Sequence, residues 1–481
     1  MLLVVLISMV KPLIDRHFAL GMNKLFFHVN THNPWMDRKP GMTLDGIGYF
    51  FQRDNTWYQE SRAMVDYVTR CQQLLQEGTP VVDIAVFTGE EMPSRALNPD
   101  RLVPMLPGIF GQNRVASEQV RLANVGEPME ESPVGVNHSA GIIDMKDWVN
   151  ALHGYHYDSM NKDALLTEAK IEKGCLVMPG GIRYRVLVLP GKTKMDPSFK
   201  GYSAEVQTKI DACRRAGIIV IDQPYQQQDF AQYGLPRDVE LPEGIGFAHR
   251  TSINQEIYFL TNQKNEVRDI EWSYRGGSRS KAHFEPYQSL FFICDKADGK
   301  MYCIDPVTGD RELVELNSRT KVRTDIPLTP KTWQIEFLEN GKKKVTKQLL
   351  DWSKDTDEQV KYYSGTAVYA TDFKYNNKIT STQQIYLQLG EVRDIAHVYI
   401  NDIDCGTAWT APYQVHIGKA LRKGKNTLRI EVVNTWANAL NGAEKGKAPY
   451  AHIWTNAKYR MKGDQLLPAG LLGPLNILKY E

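Results

Sequence analysis

The chain has 481 residues, 42% of them hydrophobic and 24% charged, a composition that excludes a disordered or fibrous class. That length is too great for one core and predicts about three domains. A formal net charge of +2 with no basic run or stripe argues against nucleic acid as the main partner.

Residues 1–10, MLLVVLISMV, are apolar but lack a basic leader and a small-residue cleavage site. They are also far short of a membrane span, so neither a signal peptide nor a transmembrane helix is expected. They read instead as a buried strand that opens mid-element, as in a truncated domain. A helix is predicted over 12–20, with Pro12 in its first turn and Gly21 as its C-cap. In residues 24–35, KLFFHVNTHNPW, the run Leu25, Phe26 and Phe27 reads as a second buried strand. Its end sheds His28, Asn30, Thr31, His32, Asn33 and Trp35 into a loop stopped by Pro34, the way barrel strands present binding side chains. A Gly/Asp/Arg-rich loop follows, and Asn55 and Thr56 are expected to cap a helix over 57–76 that ends at Gly78. Strand, helix, strand, loop, helix fits the last units of a (β/α) barrel.

Residues 79–87 form a continuous apolar strand, ending in the polar group Thr88, Gly89, Glu90 and Glu91. Residues 92–140 show no clear period. Elements at 154–166, 184–190, 204–216 and 218–222 spell a Rossmann- or flavodoxin-like open sheet. No GxGxxG stands at a strand-to-helix turn, so a dinucleotide is not supported. From Gly246 the pattern changes to short strands, at 256–260, 287–294, 301–304 and 333–337. A second all-β unit begins near Leu350, with strands at 366–373, 384–389, 395–400, 413–417 and 426–434 at jelly-roll spacing. The expected organisation is therefore multidomain α/β plus all-β. Residues 1–78 are the end of a truncated barrel, 79–245 an open-sheet domain, 246–349 a β-sandwich, and 350–481 a second sandwich. The six cysteines (Cys71, Cys175, Cys213, Cys294, Cys303, Cys405) form no CxxC or Cys/His cluster, which argues against a disulfide framework or a zinc site.

In the last unit, Val398 through Asn401, Gly406, Trp409, Pro412, Gly424, Asn426, Leu428 and Asn434 fall as in the galactose-binding-like sandwich of glycoside hydrolase family 2. The closing LLPAGLLGP, with DWSKDTDEQVKYYSGTAVY at 351–369, resembles the C-terminal region of bacterial α-L-rhamnosidases of glycoside hydrolase family 106. The stretches KPGMT, FQRDNTWY, PVVDIAVFTGEE, GYHYDSMNKDALL and PGGIRYRVLVLP agree, in order. The resemblance spans nearly the whole chain, with two departures. It begins where the family's barrel is nearly finished, and 92–140 matches nothing. It implies an inverting glycosidase acting on terminal α-L-rhamnosyl linkages in plant glycans, periplasmic or secreted. It implies no organic cofactor and allows calcium. A non-catalytic carbohydrate-binding or scaffold protein is the alternative.

Inversion needs two carboxyl groups ~6.5–9.5 Å apart. Glu90 is the one catalytic candidate here. Its neighbour Glu91 would point to the opposite face of a regular strand, and a loop or interface role stands beside catalysis for both. Asp83, inside the strand, reads as a backbone anchor. His28, Asn30, His32 and Trp35 fit sugar recognition, since imidazole and amide bond hydroxyls and indole stacks on a pyranose face. Arg53 could line the same cleft, beside Asp54, Asn55 and Trp57. Trp409 and Trp436 read as core or interface packing. His153, His156 and Asp158 are a weak metal pattern, so no metal site is expected.

Overall fold

The computed structural model describes residues 7–27, 30–43, 51–90, 154–189, 200–221, 230–277, 279–314, 323–380, 383–456 and 466–480. The first element is a helix, α1 (Ile7–Ala19), with Pro12 inside it and not in its first turn. Residues 7–10 therefore belong to a helix where a strand was expected; 1–6 lie outside the described residues. A short apolar run does not distinguish the two by itself. Spacing explains the outcome. Val10, Ile14 and Phe18 recur every four residues and pack into one core. On the same helix Lys11 and Asp15, both without solvent exposure, form an ion pair at 2.7 Å.

The predicted strand at Leu25–Phe27 is also corrected. These residues form neither strand nor helix, and Phe26 is 78% exposed. Their anchorage is to the next helix, α2 (Ser61–Leu75). The Leu25 amide donates to Gln72 Oε1 at 2.5 Å, and Gln76 Nε2 donates to the Asn23 carbonyl at 2.7 Å. Side chains at the end of α2 thus satisfy backbone groups that a neighbouring strand would have taken. The helix itself starts later than expected. Residues 52–60 wind through successive turns, with Asn55 N–H to Gln52 O, Tyr58 N–H to Asn55 O and Glu60 N–H to Trp57 O, so Glu60 and not Asn55 stands at the N-cap.

The strand predicted over 79–87 is split in two. Thr79–Pro80 pairs antiparallel with Ile245–Thr251, whereas Ile84–Phe87 enters a different sheet. The break falls at Asp83, whose carboxylate meets the Arg275 guanidinium at 2.6 Å and whose carbonyl accepts from Arg185 and Val186. Ile84–Phe87 is flanked in parallel by Tyr157–Met160 on one side and Val186–Val188 on the other, and Val186–Val188 by Ile219–Ile221. The order 2-1-3-4 is that of a flavodoxin-like open sheet. Helix α3 (Ala204–Arg215), capped by Ser203, buries Val206, Ile210 and Cys213 in that unit's core. Residues 91–153, including the unplaced 92–140 stretch, lie outside the described residues.

From Ile245 onward the chain is mainly β structure. A six-stranded sheet holds Ile245–Thr251, Gln255–Asn262, Ser289–Asp295, Met301–Ile304 and Arg311–Val314 with Thr79–Pro80 at its edge. It shares a core with a three-stranded sheet through Phe247, Tyr258, Trp272, Phe284 and Phe292. The last unit pairs a four-stranded with a six-stranded sheet. Its limit needs moving. Arg323–Pro327 pairs with Asn476–Tyr480, and Trp333–Phe337 pairs with Thr366–Tyr375. Both strands fall in the stretch assigned from sequence to the preceding unit, and the alternating buried residues Trp333, Ile335 and Phe337 lie in the core of the last one. Helices α1 and α2 cement the two β units. Trp57, Met64 and Tyr67 share one core with Phe259 and Phe291 of the first and with Ile395, Trp409 and Val433 of the second.

Candidate functional site

The loop after Phe27 does not lie alone. Lys39–Gly41 pairs in parallel with Ile453–Thr455, and the Thr43 amide donates to Asn456 Oδ1 at 2.7 Å while Asn456 Nδ2 returns a bond to Thr43 O at 3.0 Å. Trp35 packs edge-on against Trp454 with centroids 5.1 Å apart, and the Arg38 guanidinium lies 5.1 Å from the Trp35 ring. Trp436 donates its indole N–H to the Asp54 carbonyl at 2.8 Å.

Between these contacts is a cleft of ≈ 370 Å³, walled on one side by Met36, Asp37, Lys39, Arg53 to Thr56, Tyr58 and Gln59, and on the other by Glu339, Trp436 and Tyr450 to His452. Its first wall is built on Asn33. The buried Asn33 amide donates to Asp54 Oδ2 at 2.7 Å, and its carbonyl accepts from Arg53 Nη2 at 2.9 Å. Gly41, at φ +81°, makes this possible: a Cβ there would stand 2.2 Å from Asn33 Nδ2. The second wall carries Glu339 at the tip of the hairpin joining Trp333–Phe337 to Lys342–Thr346. Its carboxyl accepts the Thr366 N–H at 3.1 and 3.2 Å. Crowding by the protein raises its pKa above the ordinary glutamate value, against the Thr366 amide and the charge of Lys39. The nearby Tyr450 phenol is also raised, by burial and then by the Glu339 charge. The cleft therefore offers carboxyl acceptors, guanidinium and ammonium donors, and the half-exposed ring of Tyr58.

Of the residues expected from sequence, Arg53 lines this cleft and Trp35 stands beside it, its ring engaged by Trp454 and Arg38. Asn30 and His32 are exposed and do not line it. His28 lies outside the described residues, as do Glu91 and His153. Glu90 is elsewhere, at the C-terminal end of the parallel sheet. It accepts the Ser203 N–H at 2.7 Å, at the start of α3, and pairs with Lys162 at 2.9 Å. Desolvation works against its charged form, but Ser203 and Lys162 outweigh it and hold the pKa below the usual value. The carboxylate thus sits where an open sheet commonly receives a ligand's phosphate, at a helix N-terminus. Trp409 and Trp436 are buried, at 1% and 4% exposure, and Trp436 also reaches the cleft. His156 Nε2 bonds the Phe247 carbonyl and Asp158 accepts from Tyr184, so these two are engaged separately. Among the described residues no three His, Cys, Asp or Glu side chains gather as metal ligands. Glu339, Tyr450 and His452 were missed by sequence reasoning. Asn340-Gly341 marks a turn, but no local signal says which surface the tip will face.

Residues 5–124 match the alpha-L-rhamnosidase model of glycoside hydrolase family 106, and residues 332–465 match the glycosyl hydrolase 2 galactose-binding domain-like model. The structure superposes on a rhamnosidase from Novosphingobium sp. PP1Y with a TM-score of 0.74 and 27% identity, over 98% of this chain and 46% of that one. This chain is similar to family 106 rhamnosidases. A Formosa agariphila protein provisionally named a beta-glucuronidase is 28% identical over 278 residues, which is 55% of this chain and 21% of the relative. The chain thus spans less than half the length of either. The rhamnosidase-like part contributes the first wall of the cleft, and the galactose-binding-like part contributes Glu339, Trp436 and Tyr450 to His452. Among the described residues no helix is long and apolar enough to cross a membrane.

Proposed function

We propose that this chain is part of a secreted or periplasmic glycoside hydrolase of α-L-rhamnosidase type. It acts on terminal α-L-rhamnosyl linkages of plant glycans, with the last unit a galactose-binding-like jelly roll. The observation that carries the reading is the 0.74 TM-score to a rhamnosidase over 98% of the chain, together with the family match at residues 5–124.

An inverting mechanism needs an acid and a base on opposite sides of the bond. Glu90 is committed to Lys162 and Ser203, and Asp54 to Asn33. We further propose that the catalytic pair belongs to parts of the rhamnosidase fold that this chain does not match. The chain's own contribution is recognition: Asn30, His32, Trp35 and Arg53, with His28, bind the sugar from the loop.

The test is hydrolysis of an aryl α-L-rhamnoside by the purified chain. No turnover is expected, because general acid–base help alone is typically worth ~10²–10⁴-fold and both partners are assigned outside this chain. Strong turnover abolished in Glu90→Gln would overturn the assignment and place the acid or base inside this sequence.

A further inference from the structure

We propose that the cleft between residues 36–39 and 53–59 on one side and the Glu339 hairpin on the other is a second glycan site, holding one or two pyranosyl units with Glu339 accepting their hydroxyl groups and Tyr58 covering an apolar ring face. The choice of a sugar rests on the glycoside-hydrolase function proposed for the chain. The site itself rests on geometry, and it shares only Arg53 with the loop residues assigned to recognition.

Its size is the first argument. At ≈ 370 Å³ it falls at the small end of the ~300–1,000 Å³ usual for ligand pockets, too small for a long oligosaccharide.

Its rigidity is the second. The parallel ladder at 39–41 and 453–455, the Thr43–Asn456 exchange and the Trp436 to Asp54 bond fix both walls relative to each other. A cleft with fixed walls avoids the ordering cost that a flexible one meets on binding.

The third argument is the Glu339 carboxyl. A carboxylate has room for about four acceptor contacts, and among the described residues this one accepts from the backbone N–H of Thr366. The backbone accommodates it through a glycine. Gly365 has φ +136°, and a Cβ on it would stand 2.3 Å from Glu339 Cδ. Glycine there leaves the carboxyl seated on the Thr366 amide, and Glu339 lines the cleft.

Chemistry narrows the ligand. Asp37, Asp54 and Glu339 on the lining repel a phosphate or sulfate, and the donors Lys39, Arg53 and Gln59 would be wasted on a purely apolar guest. A polyhydroxylated ring uses both donors and acceptors, and its C–H face suits the 45%-exposed ring of Tyr58.

The experiment titrates the full chain with methyl α-L-rhamnopyranoside and, separately, methyl β-D-galactopyranoside, by saturation-transfer NMR and calorimetry. Wild type, Glu339→Ala, Glu339→Gln, Tyr58→Ala and His32→Ala are compared, with folding checked by circular dichroism. Binding of at least one glycoside is expected, weakened roughly tenfold or more in Glu339→Ala, since hydrogen bonds to charged groups are worth that much, and weakened in Tyr58→Ala through loss of the ring contact. Glu339→Gln, which keeps the shape but loses acceptor capacity, should weaken it several-fold, and a component of binding that depends on Glu339 should remain in His32→Ala. The proposal is overturned if neither glycoside binds, if the Glu339 and Tyr58 variants bind like wild type, or if His32→Ala alone abolishes binding. Binding of the galactoside and not the rhamnoside, with the same dependence on Glu339, supports the site and sinks the rhamnose specificity proposed for the chain. Hydrolysis, present or absent, does not bear on it.

Discussion

Trp436 donates its indole N–H to the carbonyl of Asp54 at 2.8 Å, across 382 residues of sequence. The bond joins the rhamnosidase-like and galactose-binding-like parts of the chain at the edge of the cleft. Replacing Trp436 with Phe keeps most of the buried ring and removes the donor, so the Asp54 carbonyl loses its partner in a buried setting. The expected loss is ~1–3 kcal/mol of stability, with weaker glycoside binding in proportion to how far the walls separate. Urea denaturation of the two proteins side by side checks the first part.

Gly41→Ala attacks the first wall from beneath. The new methyl would overlap the Asn33 amide, and φ +81° is unfavourable for any side chain. Asn33 would have to leave Asp54, at a combined cost of ~1–3 kcal/mol. A thermal melt unchanged within a degree would show that this glycine does not hold the wall.

The buried quartet under α1 predicts a larger effect. Lys11 Nζ reaches Asp15 at 2.7 Å, the Tyr287 carbonyl at 2.8 Å and Ser289 Oγ at 2.9 Å, and Tyr67 donates to the other Asp15 oxygen. Lys11→Met strands a carboxylate without its counter-ion and should cost ~3–5 kcal/mol. The double variant Lys11→Met/Asp15→Leu removes both charges and should recover most of that, since an ion pair exchanged for apolar side chains is often near neutral. Guanidinium denaturation of the single and double variants measures the difference.

His249 makes stability depend on pH. Its Nδ1 meets Asp238 at 2.8 Å and its Nε2 meets Glu256 at 2.9 Å, while its ring stacks on Tyr258. Burial alone lowers its pKa, but the bonds to Asp238 and then Glu256 outweigh that and raise it above the ordinary value. A histidine raised in the folded state stabilises fully below its unfolded pKa of ~6.5, and this contribution fades as pH rises through the folded pKa. Glu256 is shifted the other way. Its desolvation is outweighed by His249, Lys296 and Thr251, so its contribution fades as the medium becomes acidic. Lys296 pairs with Glu256 at 3.0 Å and Arg275 lies in the field of Asp238, so the carboxylates do not face His249 alone. The neutral His156 nearby has its pKa lowered, chiefly by burial. The stability advantage of wild type over His249→Gln should therefore shrink as pH is raised above neutrality. His283 is also raised, to about 9, by Glu285 against desolvation and with help from Asp269. The difference between the two proteins' melting curves, and not either curve alone, isolates His249.

Sequence alone determined much of the architecture. Ile395–Ile400 and Met301–Ile304 fall where alternation placed them, and the parallel strands after Asp83 follow their apolar runs. Such patterns record a local requirement, one face buried and the next exposed, that each segment carries by itself. The segment at Leu25 to Phe27 carries an apolar run of the same kind yet forms no strand, because a strand also needs a neighbour to bond, and here Gln72 of α2 takes the Leu25 amide. The same distinction divides the site. Arg53 and the polar loop around it were legible as a cluster of chemistry in one stretch. Glu339, Trp436 and His452 were not, since they come from turns and a helix end whose sequence fixes only their own bend. What sets them opposite Arg53 is the docking of one unit on another through the ladder at 39–41 and 453–455 and the core around Trp57 and Trp409. That docking is a sum of long-range contacts between surfaces hundreds of residues apart. No local period encodes it, so only the tertiary structure decides that two recognisable pieces enclose one cleft.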